Sequence, residues 1–307
     1  MALTYDQITA VTQRRYIPKM VDNIFDSDPL LQRAKAKGWY TPIDGGTSIF
    51  QPLMYASLTS AGSYAAGATL DTDDNDTFTS AEYAWKFYYA NLTVSGPDEM
   101  KNTGAARVLD FVKQKVMAAE LTLKDKIGDG IHGTGTPSTD IGGLRLIVDA
   151  GNTVGAIAQA DYSWWQSQED STTTVLSIGD LQTQFNAISI GGKTPTVGVA
   201  TRANYNRIYN LLQPQQRFVD SQTAKAGFQS IMLNGVPIVV SSKAAANHFF
   251  WLNEEFLHLY YHPQRNFVFD PFIKSSNQDA KSGKIFWMGN HGTSNARMFG
   301  KFSGLTA

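Results

Sequence analysis

The stretch from Asn102 to Gly133, NTGAARVLDFVKQKVMAAELTLKDKIGDGIHG, constrains this chain more than any other. Leu109, Val112, Val116, Ala119, Leu123 and Ile127 recur at three- and four-residue steps, which puts them in one stripe along a helix. Thr103 is the predicted N-cap, no proline falls before Pro137, and Gly128, Gly130 and Gly133 are expected stops. At about 1.5 Å per residue the helix runs roughly 40 Å. Its apolar stripe needs a surface, and the rest of the chain has to supply it.

A chain of 307 residues with 42 % hydrophobic content can build one large or two ordinary domains around a real core. Lys+Arg 26 against Asp+Glu 27 leaves a net charge of -1, which excludes a strong overall footprint for nucleic acid or membrane. The absence of cysteine removes disulfides, thiolate catalysis and cysteine-ligated zinc. No apolar run reaches the roughly 18 residues of a membrane span, and MALTYDQITAVTQRRY lacks the core of a signal peptide. The expectation is a soluble chain made and used in the cytoplasm.

Residues 1 to about 42 read as an arm: Tyr5, Ile8, Val11 and Arg15 suit a short amphipathic helix, and Pro18 and Pro29 break the remainder into pieces. From Thr47 the chemistry turns to strands. SIFQPLMYASLTSAGSY and FTSAEYAWKFYYANLTVSG flank an acidic turn, and Tyr83, Trp85, Phe87 and Tyr89 alternate with Ala84, Lys86 and Tyr88. An extended hairpin over about 43–95 has too little body to bury both faces. Its aromatic surface, including Phe78, Tyr83, Trp85, Phe87 and Tyr89, is expected to meet a partner on this subunit or a neighbour.

Within the hairpin tip, Asp71, Asp73, Asn75 and Glu82 match the oxygen-ligand register of a calcium loop. Asp76 stands where the sharp turn requires glycine and the flanks read as strands, so a solvated acidic turn is the plainer reading. The glycines of HGTGTP come after a helix and have no P-loop lysine, which argues against a nucleotide cradle.

Residues 178–246 alternate helix and strand: IGDLQTQFNAI helical, TPTVGVA a strand, and TRANYNRIYNLL a helix capped by Thr201 with Tyr205, Ile208, Leu211 and Leu212 buried. The connection Gln213–Gln229, which contains Arg217, is longer than most loops, and such loops tend to be functional or to meet a partner. The section from Asn247 to Ala307 is rich in aromatics with strand-like alternation at Phe256, His258 and Tyr260. These strands are expected to give the long helix its surface.

No residues are marked for catalysis. HExxH, GxSxG and Walker patterns are missing, His258 and His262 sit in a strand-like run, and Glu254-Glu255 beside Asp270 reads as surface before it reads as a carboxylate pair. A Ser/His/Asp triad assembled from distant positions stays open, and no cofactor is expected.

The order of parts resembles the major capsid protein of tailed phages, the Hong Kong 97 type fold, over nearly the whole chain. Two motifs carry the resemblance: Ile131 to Leu144, IHGTGTPSTDIGGL, is similar to the loop after the family's spine helix, and NGVPIVV within Leu233 to Ser241 to its axial strand entry. The resemblance implies an α+β fold with an N-terminal arm (1–42), an extended loop (43–95), a peripheral domain with the spine helix (96–135 plus 247–307) and an axial domain (136–246). It implies hexamers and pentamers of an icosahedral virion shell enclosing double-stranded DNA, contacted weakly and non-specifically, with scaffolding and portal proteins as partners, assembly in the host cytoplasm and no membrane. Subunit crosslinking through Lys and Asn occurs in some members, and no such pair is assigned here. The alternatives are an encapsulin-type compartment and, from another class, a calcium-dependent binding module or a hydrolase.

Overall fold

The structure is a computed structural model that describes residues 28–73, 75–101, 111–216, 231–274 and 278–306. Helix α1 (Pro29–Lys37) leads into strands β1 (Tyr40–Pro42), β2 (Ser48–Met54), β3 (Phe78–Ala84) and β4 (Lys86–Ser95). Helices α2 (Gly96–Lys101), α3 (Phe111–His132) and α4 (Leu144–Ile147) come next. Strands β5 (Thr153–Val154), β6 (Ile157–Ala158) and β7 (Gln168–Asp170) precede α5 (Ile178–Ile188), β8 (Val197–Ala200) and α6 (Arg202–Gln216). The chain ends in β9 (Met232–Leu233), β10 (Val236–Val240), β11 (Phe249–Leu252), β12 (Leu257–Lys274), β13 (Ala280–Thr293) and β14 (Gly300–Phe302).

Among the described residues the larger of two compact units comprises Asp26–Tyr88, Asp125–Asn266 and Trp287–Ala307, and the smaller holds Tyr89–Lys124 and Phe267–Phe286. In the larger unit a six-stranded sheet has the order β7-β14-β11-β8-β10-β9. Strand β8 is its centre: it pairs parallel with β10 (Gly198↔Ile238) and antiparallel with β11 (Gly198↔Trp251). Every residue of VGVA and of FFWL is buried, which a strand needs when both faces of its sheet are covered. Leu181, Phe185 and Ile188 from α5 and Ile208 from α6 meet Phe249 and Trp251 in this core. Each such side chain contributes about 2 to 3 kcal/mol of transfer free energy. Gly198 lets these rings pack closely: a Cβ would lie 3.0 Å from the Trp251 ring and 3.1 Å from the Phe249 ring, so the rings would have to give by a few tenths of an ångström.

The start signal read at Thr201 acts as expected, and the structure adds a second. Ser177 and Asp180 form a capping box on α5, and Thr201 Oγ1 accepts from Asn204 N at 3.3 Å to open α6. Helix α6 extends to Gln216, and Arg217 with the remainder of the expected loop lies outside the described residues.

Four expectations need correcting. First, the arm does not extend to residue 42. Pro29 is the first residue of α1, where its fixed φ suits a helix start, and Leu30 and Ala34, four apart, are fully buried. Strand β1 then pairs parallel with β12 (Tyr40↔Leu259). Residues 1–27 lie outside the described residues.

Second, two of the three expected stops in the long helix, Gly128 and Gly130, are not stops, whereas Gly133 directly follows its last residue, His132. Helix α3 runs through Gly128 and Gly130 to His132, with Ala119, Leu123, Ile127 and Ile131 buried along its stripe. A Cβ on Gly130 would lie 2.8 Å from Ile141 Cγ1 and 2.9 Å from the Tyr88 hydroxyl, so these glycines permit close packing. Thr103 lies outside the described residues.

Third, the hairpin is shorter than 43–95. Strands β2 and β3 pair antiparallel from Ser48↔Ala84 to Met54↔Phe78, the backbone breaks at Trp85, and β4 joins a different sheet of order β1-β12-β13-β4. An unbroken alternation of side chains hid the change of sheet.

Fourth, the returning section is divided. Strands β12 and β13 enter the four-stranded sheet, whereas β11 and β14 complete the six-stranded one (Phe249↔Phe302).

The smaller unit is built from α2, the described start of α3 and the adjoining ends of β4, β12 and β13. Leu92 and Val94 of β4 are buried while Asn91 and Thr93 are exposed. Lys115 Nζ donates to Thr93 O at 2.7 Å, and Gly96 N to Asp279 O at 2.9 Å.

Candidate assembly surface

The β2–β3 hairpin has two unlike faces. Ile49, Leu53, Ala81 and Tyr83 point inward and are buried, while the alternating positions Phe50, Pro52, Met54 and Phe78 face outward. Phe50 is 58 % exposed, Met54 66 % and Phe78 72 %. Met54 and Phe78 are direct cross-strand partners, so their side chains form one patch. The connection between the strands, residues 55–77, has no regular structure where it is described and exposes Leu58, Tyr64 and Leu70. A contiguous exposed apolar strip beside apolar loop residues is the composition of an interaction surface.

The aromatic residues singled out from the sequence separate. Phe78, Phe87 and Tyr89 are exposed. Trp85 is partly covered, its indole N–H donating to Gly46 O at 3.0 Å and its ring lying edge-on to His262. Tyr83 is not surface: its hydroxyl donates to Thr293 O at 2.7 Å and accepts from Thr293 N at 3.1 Å, and burial pushes its pKa up. The sequence reading missed Phe50, Pro52 and Met54. The signal was present in SIFQPLM, where Phe50, Pro52 and Met54 alternate with Ile49 and Leu53, so that apolar side chains fall on both faces of the strand.

The acidic positions do not converge. Glu82 lies in β3 and accepts from Ser48 Oγ, Asn75 donates to Thr59 Oγ1, and Asp71 accepts from Asp73 N at 3.0 Å. Among the described residues no three His, Asp or Glu side chains are grouped to hold a metal. Glu254 and Glu255 are each held by a cation, Arg33 and Lys193 respectively.

One Ser/His/Asp cluster does form. Ser241 Oγ lies 3.0 Å from His132 Nε2, but Asp28 Oδ1 meets that same nitrogen at 3.1 Å and also accepts from Ser241 Oγ at 3.0 Å. In a catalytic relay the carboxylate orients the ring through Nδ1, and here Nδ1 has no partner among the described residues. All three side chains are buried, so the cluster ties the start of α1 to the end of α3 and to the end of β10. His291 is likewise buried: its Nδ1 meets Gly142 O at 2.6 Å, and burial pulls its pKa down to about 4.

Two recesses open on the larger unit. One of about 410 Å³ is lined by Pro52, Tyr55, Trp164, Trp165 and Phe256 among others, and one of about 240 Å³ by Glu82, Lys86, Asp140 and His291 among others. No helix among the described residues is long and apolar enough to cross a membrane.

No family model and no curated protein sequence matches the chain. Its structure does match solved ones. A capsid asymmetric unit of cyanophage A-1(L) superposes with a TM-score of 0.73 at 15 % identity, covering 99 % of this chain and 100 % of that one. The capsid of a native GTA particle gives 0.66 at 10 % identity over 97 % and 96 %, and the holo-SrpI encapsulin complex of Synechococcus elongatus gives 0.63 at 12 % over 99 % and 96 %. Likeness over whole chains at such low identity speaks for architecture: the protein has the Hong Kong 97 type fold of phage capsid shells.

Proposed function

We propose that the chain is the major capsid protein of a tailed phage, assembling through hexamers and pentamers into an icosahedral head around double-stranded DNA. The observation that carries this reading is the hairpin, whose inner face is buried in its own subunit while its outer face presents Phe50, Met54 and Phe78 to solvent. A strap of this kind is completed by a neighbouring copy. The fold shared with capsid asymmetric units supports the same reading. No catalytic role is assigned. The working residues are interface residues, Phe78, Phe87 and Tyr89 among them, with the axial loop carrying Arg217 as a further contact. The near-neutral charge of -1 suits a shell that confines DNA through weak, non-specific contact, with scaffolding and portal proteins directing assembly in the host cytoplasm.

Electron microscopy of the purified protein at high concentration, with and without a scaffolding protein, tests it. Shells or capsomers are expected, and a persistent monomer overturns it. The similarity to an encapsulin favours a second reading, a protein compartment. Shells that enclose a cargo enzyme and no DNA would select it.

A further inference from the structure

Lys301 is the central residue of β14 and a buried lysine, its side chain 4 % exposed. Strand β14 runs between β7 and β11, and its register sets Lys301 opposite Glu169 on one side and the fully buried Phe250 on the other. Residues paired across strands share a face of the sheet, so the lysine has a carboxylate on one flank and an aromatic ring on the other. Asp149, two residues after α4, meets it from outside the sheet. Lys301 Nζ lies 2.6 Å from Asp149 Oδ2 and 3.1 Å from Glu169 Oε1. The two carboxylates stand at the rim, their side chains 28 % and 22 % exposed, and the lysine lies beneath them.

Both carboxylates are held in place. Asp149 Oδ1 accepts from Gly151 N at 3.0 Å, and Glu169 Oε1 accepts from Ser303 Oγ at 2.9 Å. The lysine nitrogen therefore faces one carboxyl group whose second oxygen rests on a backbone N–H, with another carboxylate at hydrogen-bond distance. Acyl transfer to an amine needs these three parts: a nucleophile, a donor where negative charge develops, and a group that carries protons. There is also a driving force. A buried ammonium and its carboxylate lose hydration that pairing only partly returns, whereas an amide in the same place carries no charge.

We propose that Lys301 and Asp149 condense to an isopeptide bond within the folded chain, with Glu169 as the proton carrier. The lone pair of Nζ attacks Asp149 Cγ, and negative charge gathers on Oδ1 against the Gly151 N–H. Two of the three ammonium protons pass through Glu169 to Oδ2. The Cγ–Oδ2 bond breaks with its electron pair on oxygen, and water leaves at the rim. Glu169 ends as it began, and nothing is oxidised or reduced. The product is a neutral secondary amide that fastens β14 to the segment after α4. It lies inside one copy and forms on folding, so it is independent of the shell reading and of any link between subunits.

Intact-mass spectrometry of the purified full chain, folded and held at neutral pH, tests this. A mass lower than that of the sequence by one water molecule is expected, together with a branched tryptic peptide joining Lys301 to Asp149. Glu169→Gln, Asp149→Ala and Lys301→Arg are expected to keep the full sequence mass, with circular dichroism matching that of the wild type. The wild-type result needs no variant to fold. A wild-type chain at its full sequence mass, or one that loses water without that branched peptide, overturns the proposal and leaves Lys301 as an ion-paired core residue. A branched peptide joining Lys301 to Glu169, or a Glu169→Gln chain that loses water as readily as wild type, overturns the roles assigned to the two acids. The mass is read on single chains, so a failure to form shells leaves the result untouched.

Discussion

Arg33 holds Glu254 with two charge-assisted hydrogen bonds, Nε to Oε1 at 2.8 Å and Nη2 to Oε2 at 2.6 Å. The pair joins α1 to the turn between β11 and β12, residues 221 positions apart in sequence. Glu254 is mostly buried and has one further donor, Thr196 Oγ1 at 3.1 Å. Arg33→Ala leaves that carboxylate short of its cation in a poorly solvated site. A loss of about 2 to 4 kcal/mol is expected in denaturant unfolding, somewhat below the range for a fully buried pair because the arginine is partly exposed. Arg33→Lys keeps the charge without the bidentate fork and is expected to recover part of the loss.

Gly130 inverts a common rule. Replacing a mid-helix glycine by alanine normally stabilises by about 1 kcal/mol. At this position the new methyl would press on Ile141 at 2.8 Å and the Tyr88 hydroxyl at 2.9 Å. That hydroxyl also takes a hydrogen bond from Ile141 N at 3.2 Å and approaches Asp140 Oδ1 at 3.1 Å, so the neighbour is held in place. Overpacking costs about 1 to 3 kcal/mol. Gly130→Ala is expected to lower the unfolding midpoint, and a rise would show that the α3 contact yields freely.

His291 makes stability depend on pH. Burial lowers its pKa from 6.5 to about 4, the charges of His132 and His258 push in the same direction, and the Gly142 carbonyl opposes them. Below pH 6.5 the unfolded chain takes up a proton that the folded chain refuses until about pH 4. The contribution is therefore complete above pH 6.5 and falls away as the pH drops toward 4, by about 3 kcal/mol in all. His258, lowered by its own burial, acts with the same sign. Unfolding free energies measured between pH 7 and 4, alongside an NMR titration of the His291 ring, check this. A ring that titrates near 6.5 in the folded protein would contradict it.

The parts of the fold legible in the sequence were those encoded over one or two helical turns. The stripe Ala119, Leu123 and Ile127, the helix α5, and Thr201 capping α6 all come from local periodicity and local hydrogen bonds. The illegible parts depend on distant pairing. Phe249 finds Ala200 on one side and Phe302 on the other, and no local pattern names either partner. Asp28 has the same difficulty: it looks like one more acid on a solvated arm until His132 and Ser241 close on it. At the candidate surface Tyr83 and Phe87 share an alternation, yet the break at Trp85 sends one to the core and leaves the other exposed.

Shortening the hairpin separates folding from assembly. The register from Ser48↔Ala84 to Met54↔Phe78 and the buried inner face do not depend on residues 56–76. Replacing those residues by a tight two-residue turn removes loop-closure entropy and exposed side chains and leaves the core alone. The monomer is expected to keep its unfolding free energy within about 1 kcal/mol. Shells are expected to disappear, because Leu58, Tyr64 and Leu70 go with the loop. A companion variant with Phe50→Ser, Met54→Ser and Phe78→Ser keeps the loop and removes the apolar strip, and it too is expected to fold but not assemble. If either variant forms shells as readily as wild type, the hairpin is not the strap that joins neighbouring copies.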